Sequence, residues 1–376
     1  MHNDIKQQYK KIIAKLEVQY NKLTWQNRAI LLLFILVLVY LISFGVYSFI
    51  DWSKNSKNNQ ESIISETKDE NAENKDNTPG DYVRRRIDGV YVKSENANNY
   101  PIAVMIDNDP AARLQSGLAY AQVVYEAKAE SGITRFLAIF TDGEESKEIG
   151  PVRSARPYYV DWARGYDALY VHVGGSPEAL SILKNVNMLN LNEFYQGNYF
   201  WRSNNKAAPH NVYSSIENFK KYLDKLNADN DSYNSWKYKD EAAEDNRGEQ
   251  NIEINFSVND YLVDWEYGKE ENNYSRYMAG AQHKDADGTP IIAKNIIIMQ
   301  MKSEILDEEL RRKMYDIGGG KAWYCFDGKC ETGKWKKENS DTREIIYDNN
   351  GNEIEFNAGT TWIEIVQYGG EISITN

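Results

Sequence analysis

The chain has 376 residues, 44 Lys+Arg against 56 Asp+Glu, 41% hydrophobic residues and two cysteines, which excludes a disulfide-stapled miniprotein, a collagen-like chain and a wholly disordered one, and leaves room for roughly two domains. A net charge of −12 and a pI near 5.1 speak against a nucleic-acid partner, because that affinity comes from neutralising phosphates with cations. Residues 1–80 carry 10 basic and 9 acidic side chains, so the acidity belongs to the remainder of the chain, at −13.

The first predicted element is an amphipathic helix over Asp4–Gln26, where Ile5, Tyr9, Ile12, Leu16, Tyr20 and Leu23 recur at spacings of three and four. It would either pair with its own copy as a short coiled coil, making a homodimer through residues 4–26, or lie on the anionic inner leaflet. From Ala29 to Ile50 the chain then runs 22 residues without a charge, enough at about 1.5 Å per residue to cross a hydrocarbon core of about 30 Å. A transmembrane helix over 29–50 is therefore expected. No small-x-small cleavage pattern follows Ile50, so the segment is read as a retained signal-anchor. Five cations precede it (Lys10, Lys11, Lys15, Lys22, Arg28) and three follow (Lys54, Lys57, Lys68). That bias places residues 1–28 in the cytoplasm and the bulk of the chain outside the cell membrane as a single-pass protein. Residues 51–82, rich in Asn, Ser, Lys and Glu, cannot bury enough apolar surface to offset their ordering entropy and read as a disordered tether.

From residue 83 a globular pattern begins. Apolar runs at Ile102–Ile106, Val123–Ala127, Ile133–Phe140 and Ala168–Val173 alternate with helical stretches at Pro157–Gly165, Pro177–Val186 and Ser214–Lys225, which predicts an α/β or α+β domain over 83–245. Past a polar stretch at Asp229–Gln250, helices become scarce. Runs at Ile252–Val258, Tyr274–Gln282, Asn295–Lys302, Ala322–Phe326, Arg343–Tyr347 and Thr361–Gln367, separated by Asp-Gly, Gly-Gly-Gly and Asn-Gly, predict a mostly β domain over 250–376. Both cysteines fall there. With Asp327-Gly328 as a two-residue hairpin turn, Cys325 would face Cys330 and a cross-strand disulfide is permitted, two free thiols being the alternative. Zinc would need further Cys or His nearby, and none is present, so no metal site is expected.

Candidate chemistry lies between Pro101 and Asn211. Asp107 closes the first apolar run, Glu126 and Glu130 flank the next turn with Arg135 beyond it, and Arg153 with Arg156 precedes a helix opened by Pro157. Two guanidinium forks beside a helix start suit phosphate or carboxylate, whereas the structural alternative pairs them with Asp107, Glu126 or Glu130. Gly174 and Gly175 could form an anion nest, although Ser176 and Pro177 also read as a helix cap and first turn. His172 lies between valines and reads as a core histidine. His210, followed by Asn211 in a loop, is the better candidate for acid–base work. No serine-hydrolase elbow, P-loop or HExxH motif is present, and the sequence names no cofactor.

The runs Ser131–Phe140 (SGITRFLAIF), Gly150–Pro157 (GPVRSARP), Tyr170–Glu178 (YVHVGGSPE) and Lys206–Asn211 (KAAPHN), with Gly333–Trp335 and Thr361–Val366 in the C-terminal half, resemble the YerB-like lipoprotein family, a bacterial domain-of-unknown-function family with N- and C-terminal halves. The resemblance spans about residues 85–370. It implies an extracytoplasmic fold, α/β then β-rich, and brings no established activity. Many relatives hold to the membrane through an N-terminal lipidated cysteine, whereas no Cys precedes residue 325 here, so this chain would rely on its helix. A more distant likeness is to the LytR-CpsA-Psr enzymes, which move glycopolymers from a polyprenyl pyrophosphate to the cell wall. It would set Asp107, Arg135, Arg153 and Arg156 around a pyrophosphate. Two functions are thus expected as alternatives: an envelope protein binding an anionic or cell-wall ligand or a protein partner, its 27 tyrosines available for stacking, or a glycopolymer transferase.

Overall fold

The computed structural model describes Trp25 and residues 81–141, 146–228 and 233–376. The amphipathic segment (Trp25 apart), the membrane-crossing helix expected at 29–50 and the tether up to residue 80 lie outside the described residues. Among those described, no helix is long and apolar enough to cross a membrane.

Most of the runs read as apolar become strands of one ten-stranded sheet, joined there by Lys329–Lys337 and Asn190–Asn192, which were not among them, while the runs at 252–258 and 274–282 enter a second sheet. The order of the ten strands is Ile345–Tyr347, Lys329–Lys337, Gly318–Phe326, Asn295–Met301, Thr361–Gln367, Val123–Lys128, Thr134–Phe140, Ile102–Asp107, Leu169–His172 and Asn190–Asn192. Strand Thr361–Gln367 lies parallel to Asn295–Met301 on one side and to Val123–Lys128 on the other. The sheet thus takes strands from both sides of the 245–250 stretch, and Thr78–Asn376 forms one compact unit.

Continuous rather than alternating hydrophobicity in the central strands has a direct cause: both faces of the sheet are covered. Ile296 and Ile298 face one core with Val124, Phe136 and Trp362, while Ile297 and Met299 face the other with Tyr125, Leu137 and Ile363. The first face packs against the helix Ile216–Leu226 and a second, six-stranded sheet, through Ile252, Ile254, Val263 and Trp265. The opposite face receives Tyr158, Tyr159, Trp162 and Ala163 from helix Pro157–Arg164, with Ala179 and Leu183 from helix Pro177–Asn185. Mixed α and β elements up to residue 228 followed by almost pure β structure agree with the expected fold class.

One feature between the two sheets is not apolar. Glu126 and Glu364 are register neighbours on adjacent parallel strands, and both are fully buried. Arg276, which pairs with Trp265 across the smaller sheet, descends onto them. Its Nη2 donates to Glu126 and its Nε stands 4.0 Å from Glu364, while the guanidinium lies 4.8 Å from the Trp362 ring centroid and 5.5 Å from that of Phe136. Arg276 also contacts His283 Nδ1 at 2.6 Å, and the other nitrogen of that ring reaches Gln115 at 3.0 Å. Burial and the adjacent arginines push His283 well below its ordinary pKa, so it sits there neutral.

At the hairpin, Asp327 and Gly328 both take left-handed φ, 52° and 65°, the requirement of a two-residue type I′ turn. Cys325 and Cys330 are opposite in register and joined by a disulfide. Because the closed loop is so short, the chain-entropy model assigns this crosslink only about 2 kcal/mol. The Asp327 carboxylate ties the turn into the body, accepting hydrogen bonds from Lys239 (2.7 Å), Asn272 (2.8 Å) and Asn357 (2.7 Å).

Candidate functional site

Asp107 ends its strand where two loops cross the sheet edge. Backbone bonds from Asp107 N to Pro151 O and from Arg153 N to Met105 O lay the 150–156 segment alongside. A short ribbon, Trp201–Arg202 paired with Val212–Tyr213, carries the 203–211 loop over it, and Lys206 fastens that loop to the carbonyls of Ala112 and Leu114. Three side chains converge as a result. Asp107 Oδ2 lies 2.7 Å from His210 Nδ1 and 3.0 Å from Arg153 Nε, and its Oδ1 accepts from the Asp109 amide at 3.1 Å.

Burial separates their roles. Asp107 is buried, whereas the side chains of Arg153 and His210 keep 20% and 17% exposure. Among the described residues, neither Nη of Arg153 nor Nε2 of His210 has a hydrogen-bond partner. Burial lowers the Arg153 pKa and Asp107 raises it again, which leaves a permanent cation held by its inner edge and free at its outer one. With Nδ1 directed at the carboxylate, the outward Nε2 of His210 accepts a proton when the ring is neutral and donates one when it is charged. The arrangement can therefore grip an anion between two donors, or move a proton at His210 Nε2.

The remaining predicted residues are distributed otherwise. Arg135 and Arg156 share one carboxylate, Glu130: Arg135 Nη2 lies 2.8 Å from it, and Arg156 Nη2 contacts its other oxygen. Arg156 also donates to the Ala155 carbonyl at 2.6 Å and Arg135 to the Ser154 carbonyl at 3.0 Å. Arg153 and Arg156 thus pair with different carboxylates at the helix start. The segment joining them is not yet helical: Ala155 bridges to Gly175, and Arg156 is extended as the N-cap, so the two side chains reach different carboxylates. Of the four residues expected around a pyrophosphate, Arg153 pairs with Asp107, Arg135 lies opposite Asp107 in the strand register, and Arg156 shares Glu130 with Arg135. Glu126 belongs to the core pair with Arg276.

Gly174 and Gly175 do not offer an open nest. The Gly174 amide donates to Asn192 at 3.0 Å, the Phe194 ring covers that residue, and a Cβ at Gly175 would come within 2.9 Å of the Ala155 methyl. Ser176 instead caps helix Pro177–Asn185, accepting from the Ala179 amide. His172 is fully buried with Nδ1 2.6 Å from Gly174 O, as its valine neighbours suggest. Asn211 accepts from Arg202, which also pairs with Glu193. Phe194, Tyr195 and Trp201, next in the chain to Glu193 and Arg202, are exposed. Among the described residues, no group of His, Cys, Asp or Glu is arranged to hold a metal ion. Sequence reasoning overlooked Lys206 as the loop fastener. Its position inside Lys206–Asn211 was the available signal.

Two family models match the chain, "Protein of unknown function (DUF3048) N-terminal domain" over residues 88–229 and "Protein of unknown function (DUF3048) C-terminal domain" over residues 252–363. Over 288 residues the sequence is 33% identical to "Putative lipoprotein YerB" of Bacillus subtilis (strain 168), which covers 74% of this chain and 85% of that protein. The crystal structure of YerB protein from Bacillus subtilis is similar with a TM-score of 0.70 at 31% identity, over 78% of this chain and 100% of that one.

Proposed function

The chain belongs to the DUF3048 family, and from that premise we propose that it is a membrane-tethered cell-envelope protein whose folded body lies outside the cytoplasmic membrane and binds an anionic ligand at Asp107, Arg153 and His210. The observation that carries the binding is the pair of unclaimed outer groups, Arg153 Nη and His210 Nε2, both anchored on one buried carboxylate. Such pre-ordering lowers the entropy lost when an anion is gripped. Exposed Phe194, Tyr195 and Trp201, chain neighbours of the Glu193 and Arg202 that lead to Asn211, would suit a ligand with sugar or peptide faces to stack, which favours an anionic cell-wall polymer. The location is supported by the relative's name as a lipoprotein and by the uncharged 29–50 segment, which would do here what a lipidated cysteine does elsewhere.

Binding is tested by titrating phosphodiester wall polymer into the full chain in detergent. Arg153→Gln is expected to weaken binding about tenfold or more, the worth of a hydrogen bond to a charged group, His210→Ala is expected to weaken it less, and both losses should shrink as salt screens the attraction. Equal affinity in wild type and Arg153→Gln would sink the assignment. Topology has a separate test. A reporter enzyme active only outside the cytoplasm is expected to work when fused after Asn376 and to be silent at Met1, and the reverse pattern would overturn the localisation.

A further inference from the structure

The ten-stranded sheet carries a cavity toward its other end, on strand Gly318–Phe326, five strands from the one that ends in Asp107 and so about 24 Å away at about 4.8 Å per strand. Its volume is about 790 Å³, and Gly319, Lys321, Thr332, Lys334, Lys336 and Tyr347 are among its lining residues. The register of the hairpin explains this lining. Gly319 lies opposite Lys336, Lys321 opposite Lys334 and Trp323 opposite Thr332, so residues 319, 321, 323, 332, 334 and 336 share one face. Ala322, Tyr324 and Trp335 turn to the other face and are buried in the core there. The apolar layer between the two sheets reaches as far as Trp323, whereas the three lysines beyond it are exposed.

Every charged side chain that the hairpin places on this face is a lysine. Its one glutamate, Glu331, turns to the opposite face and accepts from the Tyr324 hydroxyl at 3.0 Å. Lys336 is paired with Glu338 at 2.9 Å, but the other two meet no carboxylate. Lys321 stands over the Trp323 ring, 4.1 Å from its centroid, and Lys334 makes no hydrogen bond or ion pair among the described residues. Like charges directly opposite one another destabilise a strand pair, and this pair sits on a folded body at −13 without drawing a counter-ion from it. Asp348, the carboxylate among the lining residues, is spent on its own loop, accepting from the Asn350 and Asn352 amides at 2.8 Å each and from Asn352 Nδ2 at 2.9 Å. Beside Lys321 the face is bare, because a Cβ on Gly319 would come within 2.8 Å of the Trp335 carbonyl oxygen.

We propose that this cavity binds a phosphate-bearing anion with at least two negative charges, gripped between the Lys321 and Lys334 ammonium groups. Lysine binds phosphate as a point charge, and its three N–H bonds turn to meet oxygens at different angles. Directly opposite residues hold their Cβ atoms about 4.5–5.5 Å apart, so both ammonium groups reach one diphosphate, and the bound charge offsets their repulsion. Tyr347, opposite Lys334 on the next strand, adds a hydroxyl to the lining. The gap at Gly319 leaves room for the rest of the ligand. A free diphosphate compound and a phosphodiester polymer share this chemistry, and the experiment separates them.

Inorganic pyrophosphate and, in parallel, phosphodiester wall polymer are titrated into the full chain in detergent, carrying Arg153→Gln so that the site at Asp107 does not contribute. Saturable binding of pyrophosphate, accompanied by a rise in melting temperature, is expected. Adding Lys334→Gln should weaken it about tenfold, the worth of a hydrogen bond to a charged group, and the difference should shrink as salt rises. Without ligand the same variant is expected to melt no lower than its parent, because the substitution relieves a like-charge contact, which separates a ligand contact from a structural one. Pyrophosphate binding alone would assign a free diphosphate compound, whereas polymer binding that Lys334→Gln also weakens would assign the polymer. No saturable binding of either probe, or binding unchanged when Lys321→Gln and Lys334→Gln are combined, would overturn the proposal and leave the reading of the Asp107 site untouched.

Discussion

Arg276→Met is expected to destabilise the protein by about 3–5 kcal/mol, the usual cost of removing one partner from a buried ion pair, read as a fall in the urea midpoint with little change in slope. The side chain it removes is the counter-ion facing Glu126 and Glu364, both fully buried in the layer between the sheets. Size is not the cause, because methionine fills most of the same aromatic cage. The cost comes from leaving two carboxyls in a medium where an isolated charge cannot persist. Adding Glu126→Gln and Glu364→Gln to Arg276→Met should recover a large part of the loss. A loss below about 1 kcal/mol for Arg276→Met would show that the network is hydrated and behaves like a surface pair.

The same network is expected to make stability fall with rising pH. Burial first, then the neighbouring Glu126 carboxylate, pushes the Glu364 pKa from its ordinary 4.5 up to about 8, against the opposing pull of Arg276 and of the Trp265 N–H. The folded protein therefore keeps a proton on Glu364 that the unfolded chain releases. Since the unfolded state binds fewer protons across this window, the contribution is complete below pH 4.5 and is lost as pH rises through 8. On the order of a few kcal/mol is at stake. Glu364→Gln mimics the protonated form and keeps the acceptor for Trp265, which donates to Oε1 at 2.9 Å. Its melting temperature should change less between pH 5 and 9 than that of the wild type, with the advantage appearing on the alkaline side. Parallel profiles for the two proteins would mean that Glu364 is ionised in the fold.

The candidate site was legible in part for identifiable reasons. Asp107 stood out because a charged residue directly follows an apolar run, the pattern of a functional group at a strand end, and His210 because it lies in a loop rather than between valines. Arg153 and Arg156 looked equivalent in the sequence. They differ in the fold because the segment between them is extended and pairs with the 174–175 turn, which sends one to Asp107 and the other to Glu130. Glu126 was misplaced for a related reason: its partner Arg276 is 150 residues away, and no local pattern reports that distance. Arg343, buried against the rings of Trp236 and Tyr166, gave no signal, since the two rings arrive from separate parts of the chain.

Local chemistry in the sequence was enough to place most of the strands and helices, the caps at Ser176 and Pro177, and the Asp327-Gly328 turn that brings Cys325 to Cys330. Each depends on neighbours within about ten residues, where periodicity, turn preference and charge act directly. Only the tertiary structure decided that the two halves share a ten-stranded sheet, because strand Thr361–Gln367 is buried on both faces and can pair with any exposed parallel edge, and its alternatives are separated by packing rather than by its own residues. The same holds for the charges. Which carboxylate meets which arginine is settled by burial, where an unpaired ion is too costly to leave, and burial is a property of the whole fold.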